Sequence, residues 1–124
     1  MRAQSATLTP QELELMKVVW QRGSATVRDV YEALLERRRI AYTTVMTMLN
    51  VLEKKGHLAK RAEGRSYVYA PVRTKQRVLG AMVREFVERV FDGSAEPLLV
   101  HLLEERQLSE KDLDQLAKRI RTRK

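Results

Sequence analysis

The sequence has no cysteine, and only three prolines and 6% aromatic residues among its 124 residues. The absence of cysteine excludes disulfides, thiolate zinc sites, iron–sulfur clusters and a cysteine nucleophile. No apolar run approaches the roughly 18 residues of a membrane helix, and the polar N-terminus Met1–Gln4 is not followed by the apolar core of a signal peptide. With 44% hydrophobic and 32% charged residues, we expect a soluble cytoplasmic protein of one or two small domains, without membrane insertion.

Acidic residues are fewer than basic ones. The sequence has 16 Asp and Glu and 24 Lys and Arg, which gives a formal net charge of +8. Residues 37–73 carry nine basic and two acidic side chains, net +7, whereas residues 1–36 and 74–124 carry −1 and +2. Such a local excess predicts an anionic partner, with nucleic acid ahead of an acidic membrane surface. The alternative is an ordinary solvated face.

The N-terminal part of the sequence begins with two predicted helices. Thr9 and Glu12 form a capping box for the first, which ends at Gly23. Thr26 and Asp29 form a second capping box. The apolar stripes expected to face the core are Leu13, Met16, Val19 and Trp20 in the first helix, and Val27, Val30, Tyr31 and Leu34 in the second.

A third helix and a β-hairpin complete this domain. The helix is predicted over Tyr42–Lys55 and ends with Gly56 as its C-cap. Two strands, Leu58–Ala62 and Ser66–Pro71, are joined by a turn around Gly64. Three short helices followed by a hairpin predict a winged helix-turn-helix DNA-binding domain over residues 1–73 of a mainly α protein.

From residue 74 onward the pattern predicts amphipathic helices, broken at Gly93-Ser94 and begun again near Pro97 and at Ser109. Residues 74–124 hold more apolar surface than they can bury alone, so we expect a helical dimerisation domain that pairs with a second copy. The alternative is that these helices fold back on the N-terminal domain. The expected interface residues are Leu79, Met82, Phe86, Val90, Leu98, Leu99, Leu102, Leu103, Leu113 and Leu116.

One face of the third helix carries short polar side chains where Glu and Lys are usual. At 3.6 residues per turn, Val45, Met48, Leu49 and Leu52 point to the opposite, inner side. Threonine offers a hydroxyl and a methyl group to base edges, and asparagine can pair with adenine. The expected base-reading residues are Thr43, Thr44, Thr47 and Asn50. The alternative role for Thr43 is to cap its own helix.

Basic residues at the end of this helix and on the wing are expected to contact DNA phosphates. Such contacts position the domain without specifying a sequence. The expected phosphate-binding residues are Lys54, Lys55, Lys60, Arg61 and Arg65.

Several short runs of the sequence are typical of one known protein family. They are Leu8 to Met16 followed by Trp20, Ala41-Tyr42-Thr43-Thr44-Val45-Met46-Thr47, Lys54-Lys55-Gly56, Tyr67-Val68-Tyr69, and Leu108-Ser109 near the C-terminus. In these runs the chain resembles the penicillinase and methicillin-resistance repressors over nearly its whole length. The resemblance implies a homodimeric repressor with N-terminal winged helices and a helical C-terminal dimerisation region. Members of that family bind dyad operators ahead of resistance genes and their own operon.

The resemblance also implies a partner, a membrane sensor metalloprotease that detects a β-lactam, because several members are cut within their dimerisation helices. In those members the cut falls at an Asn-Phe bond, and the matching residues here are His101 and Leu102. The copper-responsive branch has a C-terminal cysteine hook, which this chain lacks. We therefore expect control of dimerisation or DNA affinity, with cleavage at His101–Leu102 as the alternative.

Other functions fit the sequence less well. The two histidines, His57 and His101, are far apart and have no acidic partner at a diagnostic spacing, and there is no glycine-rich phosphate loop. We therefore expect no enzyme, no metal site and no cofactor. A protein–protein adaptor would carry a neutral or acidic third helix and wing, and RNA-binding platforms need exposed aromatic residues. The expected partners are double-stranded operator DNA and a second copy of the chain.

Overall fold

The structure is a computed structural model that describes residues 8–122, so the polar segment Met1–Gln4 lies outside the described residues. Within residues 8–122 the chain forms six helices and three strands. In chain order they are α1 (Pro10–Arg22), β1 (Ala25–Thr26), α2 (Val27–Leu35), α3 (Tyr42–Lys54), β2 (Leu58–Glu63), β3 (Ser66–Pro71), α4 (Lys75–Phe91), α5 (Glu96–Glu104) and α6 (Glu110–Thr122).

The predicted capping boxes form and determine where helices begin. The Thr9 hydroxyl accepts the Glu12 backbone N–H at 3.1 Å, while the Glu12 carboxylate accepts the Thr9 N–H at 3.0 Å. The same reciprocal pair starts α2, where the Thr26 hydroxyl accepts the Asp29 N–H at 3.1 Å. These contacts satisfy backbone donors that have no partner inside the helix.

The sheet has the order β1-β3-β2 with antiparallel neighbours. Strands β2 and β3 are the predicted hairpin, and Gly64 takes the turn with a positive φ of 63°. Strand β1 was not predicted, because two residues are too few to show an alternating pattern. It pairs Ala25 with Tyr69 and therefore fastens the α1–α2 connection to the hairpin.

The core of the winged domain lies between the first three helices and the sheet. Its fully buried side chains are Leu15, Met16, Val19, Val30, Leu34, Val45, Leu49 and Leu52. The predicted stripe of α1 contained Leu13 and not Leu15, yet Leu13 is only half-buried and packs at the edge of the core. Trp20 also packs there, as predicted. The three helices and the hairpin confirm the winged helix-turn-helix fold.

The first compact unit extends past the predicted boundary between residues 73 and 74. The chain separates into a unit that ends at Met82 and a unit that begins at Val83. The reason is that α4 begins on the winged domain, where Val78 is buried at 3% exposure and Met82 packs against the same core. Met82, expected at a dimer interface, therefore contributes to the winged unit.

The second unit contains the rest of α4 together with α5 and α6. Asp92 and Gly93 end α4 with φ values of 53° and 89°, and the Ser109 hydroxyl accepts the Asp112 N–H ahead of α6. Phe86 and Phe91 meet edge to face, with ring centroids 5.8 Å apart. Among residues 8–122, no helix combines the length and the apolar character that crossing a membrane requires.

Candidate nucleic-acid interface

The outer face of α3 carries three exposed threonines. Thr43, Thr44 and Thr47 are exposed, whereas Val45 and Leu49, on the opposite side of the helix, are fully buried. Helix α3 begins after Ala41, and no side chain caps its first turn. Thr43 is therefore not the cap of its own helix, and the three hydroxyls and methyl groups line a surface that a base edge can approach.

A cleft of about 550 Å³ opens beside this face, between the start of α2, helix α3 and the hairpin. Its cationic lining consists of Arg28, Lys60 and Arg65, and no acidic residue of the described chain lines it. Arg28 was not among the predicted site residues. Arg28 lies 3.4 Å from Glu32 in an exposed pair four residues apart on α2, so its place in the sequence indicated an ordinary helix-surface ion pair.

Asn50 joins α3 to the hairpin. Its side-chain oxygen accepts the Tyr69 hydroxyl at 3.0 Å and lies 3.5 Å from the Lys60 ammonium. Tyr69 is only 2% exposed, and burial, together with the Glu53 charge, raises the pKa of its phenol. The Lys60 ammonium also lies 4.6 Å from the centre of the Tyr67 ring. The acceptor of the predicted base-reading Asn50 is thus already used within the protein.

The remaining predicted phosphate ligands differ in their surroundings. Lys54 and Arg65 are exposed, and Arg61 lies 3.5 Å from Glu63 on the same strand in a solvent-exposed pair. Lys55 instead contacts the Glu12 carboxylate at 2.8 Å and so links the end of α3 to the start of α1. Burial alone would raise the pKa of Glu12, but the hydrogen bonds from Lys55 and Thr9 outweigh it and hold the pKa below its ordinary value.

His57 is buried directly after α3, at 4% exposure. Its Nδ1 has no hydrogen-bond partner among the described residues. Burial lowers the pKa of the imidazole, and the nearby charges of Arg73 and Lys55 lower it further. The His57 backbone oxygen accepts the Val72 N–H at 3.0 Å, so this histidine lies where the wing returns to the helices.

A winged helix with an uncharged polar face on its third helix, next to a cleft lined by cations, defines the class of winged-helix DNA-binding proteins. Residues 8–122 match the family model of the penicillinase repressor. The chain belongs to the penicillinase repressor family and is a DNA-binding transcriptional repressor.

Individual relatives agree with this assignment. The chain is 41% identical over 95 residues to the transcriptional regulator BlaI of Mycobacterium tuberculosis, which covers 75% of this chain and 69% of that protein. It is 31% identical over 109 residues to the penicillinase repressor of Bacillus licheniformis, which covers 88% and 85%. A solution structure of the monomeric form of B. licheniformis BlaI in complex with the blaP half-operator aligns with a TM-score of 0.50 at 36% identity. That alignment covers 56% of this chain and 85% of the other.

Proposed function

We propose that the protein represses transcription as a homodimer whose two winged units occupy the two halves of a dyad operator. The observation that carries the proposal is the exposed threonine face of α3 beside a cationic cleft, in a chain that matches the repressor family over residues 8–122. Support for one winged unit per half-site comes from the B. licheniformis relative, whose monomeric form binds a half-operator. Because operator DNA lies in the cytoplasm, we assign the protein to that compartment.

The roles within the interface divide by chemistry. Thr43, Thr44 and Thr47 contact base edges in the major groove, where a helix-turn-helix reads bases with the first part of its third helix. Lys54, Lys60, Arg61 and Arg65 contact phosphates, and the cleft adds Arg28 to this group. Asn50 aligns the wing through Tyr69.

Of the predicted phosphate ligands, Lys55 is the least available to DNA, because its ammonium already pairs with Glu12 at 2.8 Å. Moving it to a phosphate would leave the Glu12 carboxylate, which is 8% exposed, without this cation. We therefore assign Lys55 to the stability of the winged unit.

The helices of the second unit supply the dimer interface. Large apolar side chains on each of them are exposed in a single chain, among them Phe86, Val90 and Leu99. Adjacent exposed apolar side chains mark surfaces of protein–protein contact. A two-fold symmetric dimer buries such a surface against the same surface of a second copy and leaves none of it open for further copies. Together with these three residues, the proposed interface retains Leu98, Leu102, Leu103, Leu113 and Leu116 of the second unit. It also retains Leu79, which lies on the part of α4 that belongs to the first unit.

Sedimentation equilibrium of the full chain tests the dimer. Leu99→Glu introduces a charge on α5 and is expected to give monomers at concentrations where the wild type is dimeric. The matched control is Val72→Glu, the same change at an exposed apolar residue of the first unit, which should remain dimeric. A Leu99→Glu variant that dimerises like the wild type would contradict the proposed interface.

DNase footprinting of the DNA upstream of the protein's own gene tests the operator. We expect protection of two half-sites related by a dyad, with centres separated by about one helical turn or a multiple of it. Protection of a single asymmetric site at every protein concentration would contradict a dimer on a dyad.

Release from the operator is proposed to act through dimerisation or DNA affinity without cleavage. His101 and Leu102 lie inside α5, and a protease must unwind a helix locally before it can bind the chain. The test is to treat the native host with a β-lactam and to follow the protein by immunoblot and intact mass. An intact protein that leaves its operator supports the proposal, whereas a fragment ending at His101 would establish cleavage and contradict it.

A further inference from the structure

The first unit has a second cleft, of about 600 Å³, that shares no lining residue with the cleft beside α3. It is bounded by α1, by the turn after α2 and by the connection from β3 to α4. The lining residues that matter below are Lys17, Trp20, Gln21, Arg37, Pro71 and Lys75. The cleft therefore brings together three segments that are distant in sequence.

Three cations surround this cleft, and within residues 8–122 none of them has an ion pair. Lys17, Arg37 and Lys75 all line it, and no acidic residue does. By contrast, Arg38, the neighbour of Arg37 in the sequence, pairs with Glu14 at 3.0 Å. Like charges held near one another raise the local positive potential, which attracts an anion. The cleft thus has the electrostatic character of an anion site.

Trp20 gives the cleft a rigid flat wall. Its indole N–H donates to the Arg73 carbonyl oxygen at 3.1 Å, and its ring packs against the core, so its orientation is fixed at both ends. Pro71 contributes a second apolar surface. A ligand that fills this space gains most if it has a flat ring to lie against Trp20 and an acidic group to meet the cations.

We propose that this cleft binds a small organic anion, a flat ring bearing a carboxylate or phosphate group, and that the ligand acts as an effector of the repressor. The Pro71–Lys75 segment leads directly into α4, the helix that continues from the first unit into the second. A ligand that joins α1 to this segment favours one arrangement of the α4 start and thereby changes operator affinity. Only the change in operator affinity rests on the proposed function, and the binding of the anion does not.

Trp20 makes the binding step directly measurable, because it is the single tryptophan of the chain. The full-length protein without DNA is titrated at low salt with phthalate and with phenyl phosphate, and the tryptophan emission is followed. We expect a saturable change with both anions and none with benzamide, a neutral ring of similar size. Inorganic phosphate alone should bind more weakly, since it has no ring. An equal response to benzamide, or no saturable response to either anion, would overturn the proposal.

Charge variants locate the site. Lys17→Gln combined with Lys75→Gln should weaken phthalate binding by about fivefold or more, as the loss of two exposed charge contacts implies. Gln21→Glu should weaken binding and Gln21→Lys should strengthen it. The matched control, Lys111→Gln with Lys118→Gln on α6, removes two charges outside the cleft and should bind phthalate like the wild type. Equal weakening in both double variants would overturn the site.

Measurements of operator affinity distinguish whether the lysines of the second cleft bind an effector or contact DNA. Without ligand, Lys17→Gln with Lys75→Gln should bind the operator within about twofold of the wild type, and phthalate should change the affinity of the wild type only. If the double variant instead loses affinity for all DNA with a smaller salt slope, these lysines contact phosphates and the proposal is wrong. If phthalate binds but no DNA does, the anion site stands and the proposed function fails.

Discussion

The Tyr69 hydroxyl donates a 3.0 Å hydrogen bond to the side-chain oxygen of Asn50, and this contact links the hairpin to α3. Tyr69 comes from β3 and is almost fully buried, and both residues line the cleft between the start of α2, α3 and the hairpin. We expect this hydrogen bond to help hold the hairpin in position relative to the threonine face.

Tyr69→Phe removes only this hydroxyl. We expect the free energy of unfolding to fall by about 0.5–1.5 kcal/mol, as for a typical hydrogen bond, and operator affinity to fall by up to about tenfold. Chemical denaturation and a DNA titration measure the two effects. Tyr67→Phe, which removes a hydroxyl from the exposed neighbouring ring, serves as the control for stability and should leave the free energy of unfolding unchanged. Wild-type operator affinity in Tyr69→Phe would show that Asn50 does not align the wing.

The burial of His57 predicts a pH dependence of stability. Because burial and neighbouring cations lower the pKa of His57 below its ordinary value of 6.5, the folded protein binds fewer protons here than the unfolded chain does. The contribution of His57 to the unfolding free energy is therefore complete above about pH 6.5 and decreases as the pH falls toward the lower, folded-state pKa. Thermal unfolding across this range measures it.

His57→Gln should make the unfolding free energy less dependent on pH in that interval. The control is His101→Gln, which removes the other histidine from an exposed position of α5 and should retain the pH dependence of the wild type. A wild-type protein that is equally stable on both sides of pH 6.5 would contradict the assignment. Glu12 causes a second decrease of the unfolding free energy at lower pH. Its folded-state pKa is below its ordinary value of 4.5, and its stabilising contacts disappear when it is protonated.

The position of Val78 predicts where the chain can be shortened. A fragment that ends at Met82 retains the buried Val78 and its neighbour in the core and should unfold cooperatively as a monomer. A fragment that ends at Arg73 loses the Val78 side chain from the core and should be less stable by about 1–3 kcal/mol. Circular dichroism during thermal unfolding compares the two. Equal stability of both fragments would mean that the start of α4 adds nothing to the winged unit.

How much the sequence could predict follows from the range of the interactions involved. The capping pairs at Thr9 and Thr26 join residues three apart, so the sequence alone indicated where α1 and α2 begin. The hairpin was predictable for the same reason. The Trp20 bond to Arg73 spans 53 residues, and the sequence contains no local sign of it.

The same distinction between local and long-range contacts applies to the residues of the candidate site. The exposure of Thr43, Thr44 and Thr47 follows from the period of α3 and was correctly expected. The contacts of Lys55 with Glu12 and of Asn50 with Tyr69 depend on how α3 packs against α1 and β3, which the helical period does not contain. Arg28 was missed because its position beside the hairpin results from the short strand β1.

Base reading by the threonine face of α3 is tested by comparing Thr47→Val with Arg65→Gln in titrations of operator and scrambled DNA at several salt concentrations. Thr47→Val keeps the shape of the side chain and removes its hydroxyl, so we expect a loss of about 1–3 kcal/mol on the operator and little change on scrambled DNA. Arg65→Gln should weaken both DNAs alike and reduce the salt slope by about one. Equal losses on both DNAs for Thr47→Val would contradict the claim that the threonine face of α3 reads the operator.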